Sequence, residues 1–199
     1  CDERISLTQA FVKAVAGRLP VISQVGHNSL REARRLAREA RRVGVDAISA
    51  TCPSYFKISE VETLTECMAE IAGEAPELPF YYYHIPMLTG SAIYMPEFLM
   101  HASSHIPNLV GIKYTDTKLH EFQECLELDN RRFETVWGCD EMLLGALAVG
   151  ANAAIGSTYN VMPSLYVQLI DAFQQGDVDH ARCLQSRSIA AIRVMGKYQ

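Results

Sequence analysis

The sequence predicts a parallel α/β protein, a (β/α)8 barrel (TIM barrel) of which six strands are present. Strand-like and helical segments alternate from end to end, with successive strands starting roughly 18 to 34 residues apart, the spacing of strand–helix units in a parallel sheet. Polar and glycine residues cluster where strands end, at Thr51, Tyr83, 113–115, 138–141 and 156–157. One shared rim of this kind is where barrels place their chemistry. No G-x-G-x-x-G or P-loop pattern follows any strand, which argues against an open nucleotide-binding sheet.

Helical periodicity runs through 5–15, followed by a strand at 20–25. A helix over 29–43 opens with the capping box Ser29-x-x-Glu32, and its apolar stripe (Leu30, Ala33, Leu36, Ala37, Ala40, Val43) leaves six arginines for the outer face. The next strand is 46–50, and a helix over 59–72 carries a second box, Ser59-x-x-Glu62. Residues 80–85 form a strand, 95–103 a short helix, 109–114 a strand and 118–128 a helix. A strand at 134–138 leads to a helix at 141–149 closed by Gly150, and the sixth strand is 153–157. Pro163 in the first turn and Gly176 beyond the last bracket a helix over 163–173, and 178–194 is the final helix. Six strands are two short of eight and the chain opens inside a helix, so about two strand–helix units are expected to be missing ahead of it. The whole of 1–199 reads as a single, partial barrel domain.

The composition is 49% hydrophobic and 21% charged, with net charge −5 and a pI near 5.7. That balance does not suggest nucleic-acid or anionic-membrane partners. The arginine-rich helix lacks interleaved aromatics and reads as a solvated outer face. No stretch reaches membrane-spanning length and no leader pattern is present. The six cysteines have no CxxC or regular spacing and read as reduced thiols of a cytoplasmic protein. The six histidines form no HxH or HExxH, so no metal site is expected.

Lys113 stands out among five lysines because only it is framed by an apolar strand, Leu109–Tyr114. An amine there is costly without a partner or a task, and a neutral amine can attack a carbonyl. Alternation puts Leu109, Gly111 and Lys113 on the barrel axis and Val110, Ile112 and Tyr114 toward the helices. In the preceding strand Tyr83 shares its face with Tyr81 and lies nearer the rim, where a phenol can relay a proton. A lysine snorkelling to solvent, or tyrosines filling a core, is the alternative on these residues alone.

Tyr83-His84-Ile85-Pro86 followed by Gly111-Ile112-Lys113 resembles the dihydrodipicolinate synthase/N-acetylneuraminate lyase superfamily of (β/α)8 class I aldolases. The resemblance makes Lys113 the Schiff-base lysine and Tyr83 the catalytic tyrosine, with a covalent imine and no cofactor. Met87-Leu88-Thr89-Gly90 lacks the arginine usual in the synthase branch. Tyr114-Thr115-Asp116-Thr117, Trp137-Gly138-Cys139-Asp140-Glu141 and Ile155-Gly156-Ser157-Thr158-Tyr159-Asn160 are similar to the N-acetylneuraminate lyase branch. By that likeness Thr115, Gly138, Asp140, Glu141 and Ser157 bind the polyhydroxy end of sialic acid, which is cleaved to pyruvate and N-acetylmannosamine. Thr51-Cys52-Pro53-Ser54-Tyr55-Phe56 resembles a loop near the site and a subunit contact, with Tyr55 a candidate substrate-binding residue and Cys52 where relatives usually carry threonine. His84 points away from Lys113 and is expected to be structural. Relatives are commonly tetramers, so a homo-oligomer is expected. A second strand ending in a Gly-rich carboxylate-binding loop, and helices after residue 199, are expected to be absent. That keeps a non-catalytic truncated isoform open, as does another pyruvate-dependent aldolase or dehydratase acting on 2-keto-3-deoxy sugar acids.

Overall fold

The computed structural model describes residues 1–198. Five strands form one parallel sheet in sequential order: β1 (Ile22–Gln24), β2 (Ala47–Ala50), β3 (Phe80–His84), β4 (Leu109–Tyr114) and β5 (Glu134–Trp137). Sequential parallel order with a helix between successive strands is the barrel arrangement, here as an unclosed arc. The sixth segment departs from expectation. It is held by a single bridge, Trp137 to Ala154. Two backbone bonds make it, Trp137 N–H to Ala153 O (3.0 Å) and Ile155 N–H to Trp137 O (2.9 Å). Just beyond it Gly156 packs against the Asp140 carboxylate.

The helices are α1 (Asp2–Val15), α2 (Leu30–Val43), α3 (Val61–Ala72), α4 (Pro86–Thr89), α5 (Met95–Ala102), α6 (Leu119–Arg131), α7 (Leu143–Ala148), α8 (Pro163–Gln174) and α9 (Val178–Met195). Helix α2 starts as its sequence dictates: Ser29 Oγ accepts from Glu32 N–H at 3.4 Å. It ends at Gly44, whose φ of 84° is the left-handed conformation glycine adopts freely. Its arginines pair with acids on α2 itself and on flanking segments: Arg35 with Asp2 (2.5 Å), Arg34 and Arg38 with Glu74 (2.7 and 2.9 Å), Arg42 with Glu39 (2.7 Å). The second capping box does not form. Ser59 donates to the carboxylate of Glu60 instead (3.1 Å), and α3 begins at Val61. Helix α6 loses helical geometry at Leu128, and Asp129, Asn130 and Arg131 follow with positive φ. The short helix α4 was not expected; Pro86 opens it and Gly90, at φ 69°, closes it.

A bulge shapes β4. Phe80 pairs with Leu109 but Tyr81 with Gly111, leaving Val110 as the extra residue. The phase of the strand shifts there, so Leu109 joins the hydrophobic core instead of facing the axis. Beyond the bulge Ile112 and Tyr114 are buried against the helices and Lys113 lies on the opposite face. Tyr114, Phe122 and Trp137 then lock β4, α6 and β5 together, with ring centroids 4.8 Å apart for Phe122–Trp137 and 5.8 Å for Tyr114–Phe122. Each such pair contributes about 0.5–1.5 kcal/mol beyond area burial. Their effect is to fix the ends of the two strands that carry Lys113 and Gly138.

Candidate active site

Tyr83 and Lys113 are register partners on β3 and β4. The Lys113 amine sits 4.0 Å above the centroid of the Tyr83 ring. At that distance the ring's negative face attracts the ammonium form and holds the side chain in place. Both line one open cavity of about 530 Å³, with Gln24, Ser49, Tyr81 and Glu134 among its other polar residues. Tyr81 donates a 2.5 Å hydrogen bond to Glu134. Burial and this carboxylate push the Tyr81 phenol well above its ordinary pKa. The pair was missed in the sequence, yet alternation back from Val136, which lines the same cavity, would have put Glu134 there.

Gly111 lets two neighbouring strands close together. A Cβ built there would lie 1.9 Å from the carbonyl oxygen of Glu134, so glycine permits the approach of β5. Gly138 does the same at the rim, where a Cβ would meet Thr115 Oγ1 at 1.9 Å. The strand ends here are laced together by Thr115 N–H to His84 O and Gly138 N–H to Tyr114 O, both 2.8 Å. Thr115 Oγ1 is buried without a partner beside Gly138.

Asp140 is buried at the start of a 3-10 turn, Asp140–Met142. Its Oδ2 accepts from Thr158 N–H (2.8 Å) and Thr158 Oγ1–H (2.5 Å). Its Oδ1 packs against Gly156 and has no hydrogen-bond partner. Glu141 and Ser157 are exposed on the segments that Asp140 and Thr158 tie together. At Cys139, between Gly138 and Asp140, burial first, then Glu141 and Asp116, push the thiol up to about 12, which disfavours the thiolate form. Tyr55 lies apart from Lys113. It is exposed, meets Phe56 edge-on at 4.9 Å and lines an outer groove with His27, Pro53 and Cys67. His84 is buried with neither ring nitrogen bonded, and burial lowers its pKa to about 4. All six cysteines are free thiols, and among the described residues no group of three or more His, Cys, Asp or Glu could hold a metal. No described helix is long and apolar enough to cross a membrane.

Fold and cavity thus define a partial (β/α) barrel with an amine and a phenol side by side on its concave face. Residues 1–196 match the model of the dihydrodipicolinate synthetase family, and the chain belongs to that family. It is 43% identical over 185 residues to an N-acetylneuraminate lyase of Xenopus tropicalis, covering 92% of this chain and 60% of that protein. The solved N-acetylneuraminate lyase of Proteus mirabilis superposes with a TM-score of 0.96 at 38% identity, over 99% of this chain and 66% of that one. A sialic acid aldolase of Ruminococcus gnavus, described as a catalytic lysine mutant, superposes with a TM-score of 0.90 at 29% identity, over 96% of this chain and 62% of that one. The chain therefore spans about 60% of the length of the curated relatives it matches.

Proposed function

We propose that this chain carries the Schiff-base chemistry of a class I aldolase that cleaves N-acetylneuraminate to N-acetylmannosamine and pyruvate. The observation that carries the reading is the Lys113–Tyr83 pair, in register on adjacent strands with the amine 4.0 Å from the ring centroid. Its similarity to sialic acid aldolases, one of them described by its catalytic lysine, supports the choice of substrate.

The Lys113 amine adds to the C2 ketone of the open-chain sugar acid, and loss of water gives the imine. The C3–C4 bond breaks with its electron pair drawn into the protonated imine, leaving an enamine. Tyr83 accepts the C4 hydroxyl proton while its own hydroxyl proton passes to the substrate carboxylate, as the aldehyde of N-acetylmannosamine forms. Protonation at C3 and hydrolysis release pyruvate and free Lys113. No diffusible cofactor enters this sequence. Thr115, Gly138, Asp140, Glu141 and Ser157 form the polyol side of the site, with the exposed Glu141 and Ser157 meeting hydroxyls and Asp140 ordering them. Tyr55, on its outer groove, belongs to a subunit contact of a homo-oligomer, a tetramer in this reading, and the enzyme works in the cytoplasm.

The test is release of pyruvate from N-acetylneuraminate, followed through a coupled dehydrogenase. The chain should release pyruvate and its Lys113→Ala variant should not. Faster turnover of an unbranched 2-keto-3-deoxy sugar acid would overturn the substrate assignment.

A further inference from the structure

Behind the rim lies a closed ring of buried polar groups that the imine chemistry does not use. Thr158 gives its one hydroxyl proton to Asp140 Oδ2, which leaves the Tyr166 phenol as donor in the 2.5 Å contact between their hydroxyls. Tyr166 Oη lies 3.2 Å from Ser188 Oγ. Gln185 Nε2 donates to Ser188 Oγ and to the Asp140 backbone carbonyl, both at 3.1 Å, while its Oε1 accepts from Leu144 N–H at 2.9 Å. All five side chains are buried.

Two features make this ring more than helix packing. Apolar side chains would join α8 to α9 without burying the three polar groups of Tyr166, Gln185 and Ser188, which carry a cost that packing alone does not explain. The ring also ends on Asp140 twice, gripping its carboxylate through Thr158 and its carbonyl through Gln185. The residues next to these two anchors are Glu141 and Ser157, both exposed at the rim. Fixing Asp140 to Thr158 therefore fixes Glu141 relative to Ser157.

We propose that Tyr166, Gln185 and Ser188 are positioning residues for polyol recognition: they set the separation of Glu141 and Ser157 from behind and touch no substrate. This rests on the aldolase reading for the identity of the ligand. The chain supplies its own reporter, since Trp137 is its only tryptophan and its indole N–H donates to the Cys139 carbonyl (2.6 Å), one residue before Asp140.

The experiment titrates the full chain and its Tyr166→Phe and Ser188→Ala variants with N-acetylmannosamine, read by tryptophan fluorescence and calorimetry. Borohydride trapping of pyruvate is measured in parallel. Both variants should bind N-acetylmannosamine about tenfold more weakly, the size of one net hydrogen bond, since each removes a hydroxyl that supports Asp140 through its neighbours in the ring. Pyruvate trapping should stay at the parental level, which a general loss of structure would not allow. Affinity within twofold of the parent in both variants, or no polyol binding by the parent, overturns the inference. A parent that binds the polyol but traps no pyruvate overturns the aldolase reading alone, and the variant comparison still decides the role of the ring.

Discussion

Replacing Gly156 with alanine isolates the contact on which the rim is built. Its φ lies outside the left-handed region, so alanine meets no backbone strain there. The added Cβ would fall 1.5 Å from Asp140 Oδ1 and 2.3 Å from its Cγ. Real contacts of this kind stay beyond about 3 Å, so the carboxylate must retreat by about 1.5 Å. Its two bonds from Thr158, at 2.8 and 2.5 Å, cannot both survive that shift. A hydrogen bond to a charged group contributes about 1.5–3 kcal/mol, so losing one or both predicts a cost of about 3 kcal/mol. The assay is urea unfolding followed by Trp137 fluorescence, run as a double-mutant cycle with Asp140→Ala. In the Asp140→Ala background the obstructing carboxylate is gone, and Gly156→Ala should cost less than about 1 kcal/mol. Equal cost in both backgrounds, or a cost below about 1 kcal/mol in the parent, would refute the reasoning.

Tyr83→Phe keeps the ring beneath the amine and removes the proton acceptor, so pyruvate trapping should persist while sialic acid cleavage falls about 10²–10⁴-fold; a loss under about fivefold contradicts the role given to the phenol. His84 predicts a pH dependence of stability. Its folded pKa of about 4 lies below the unfolded value near 6.5, so the unfolded state binds more protons between the two. The stabilisation is whole above about pH 6.5 and is lost as pH falls toward about 4, amounting to about 3 kcal/mol. His84→Asn should flatten the unfolding free energy over that window, and an unchanged slope would exclude His84 as its source.

Much of the fold was legible because it rests on short-range chemistry. The apolar stripe and Ser29 cap define α2, and the alternation of β3 with β4 put Tyr83 beside Lys113. Three things were not legible. The bulge at Val110 depends on how β3 seats against β4, so counting alternation from Leu109 gave the wrong face for that residue. The last strand shrank to a bridge followed by Gly156 packed against Asp140, a contact between segments that local pattern does not encode. The Tyr166–Ser188–Gln185 ring joins residues on two helices through side-chain hydrogen bonds, and in sequence each of them reads as an ordinary helical position. Of the candidate residues, Lys113 and Tyr83 meet in one cavity, and Thr115 and Gly138 meet at the rim. Glu141 and Ser157 flank the Asp140–Thr158 tie, and Tyr55 stands apart.

The central claim is that Lys113 is the nucleophile. The most direct measurement is peptide mass mapping after incubation with pyruvate and borohydride. A reduced pyruvyl adduct on the peptide bearing Lys113, absent in Lys113→Ala, is the predicted result. An adduct on Lys57 or Lys118 in its place, or none on Lys113 in a folded chain, would contradict the account.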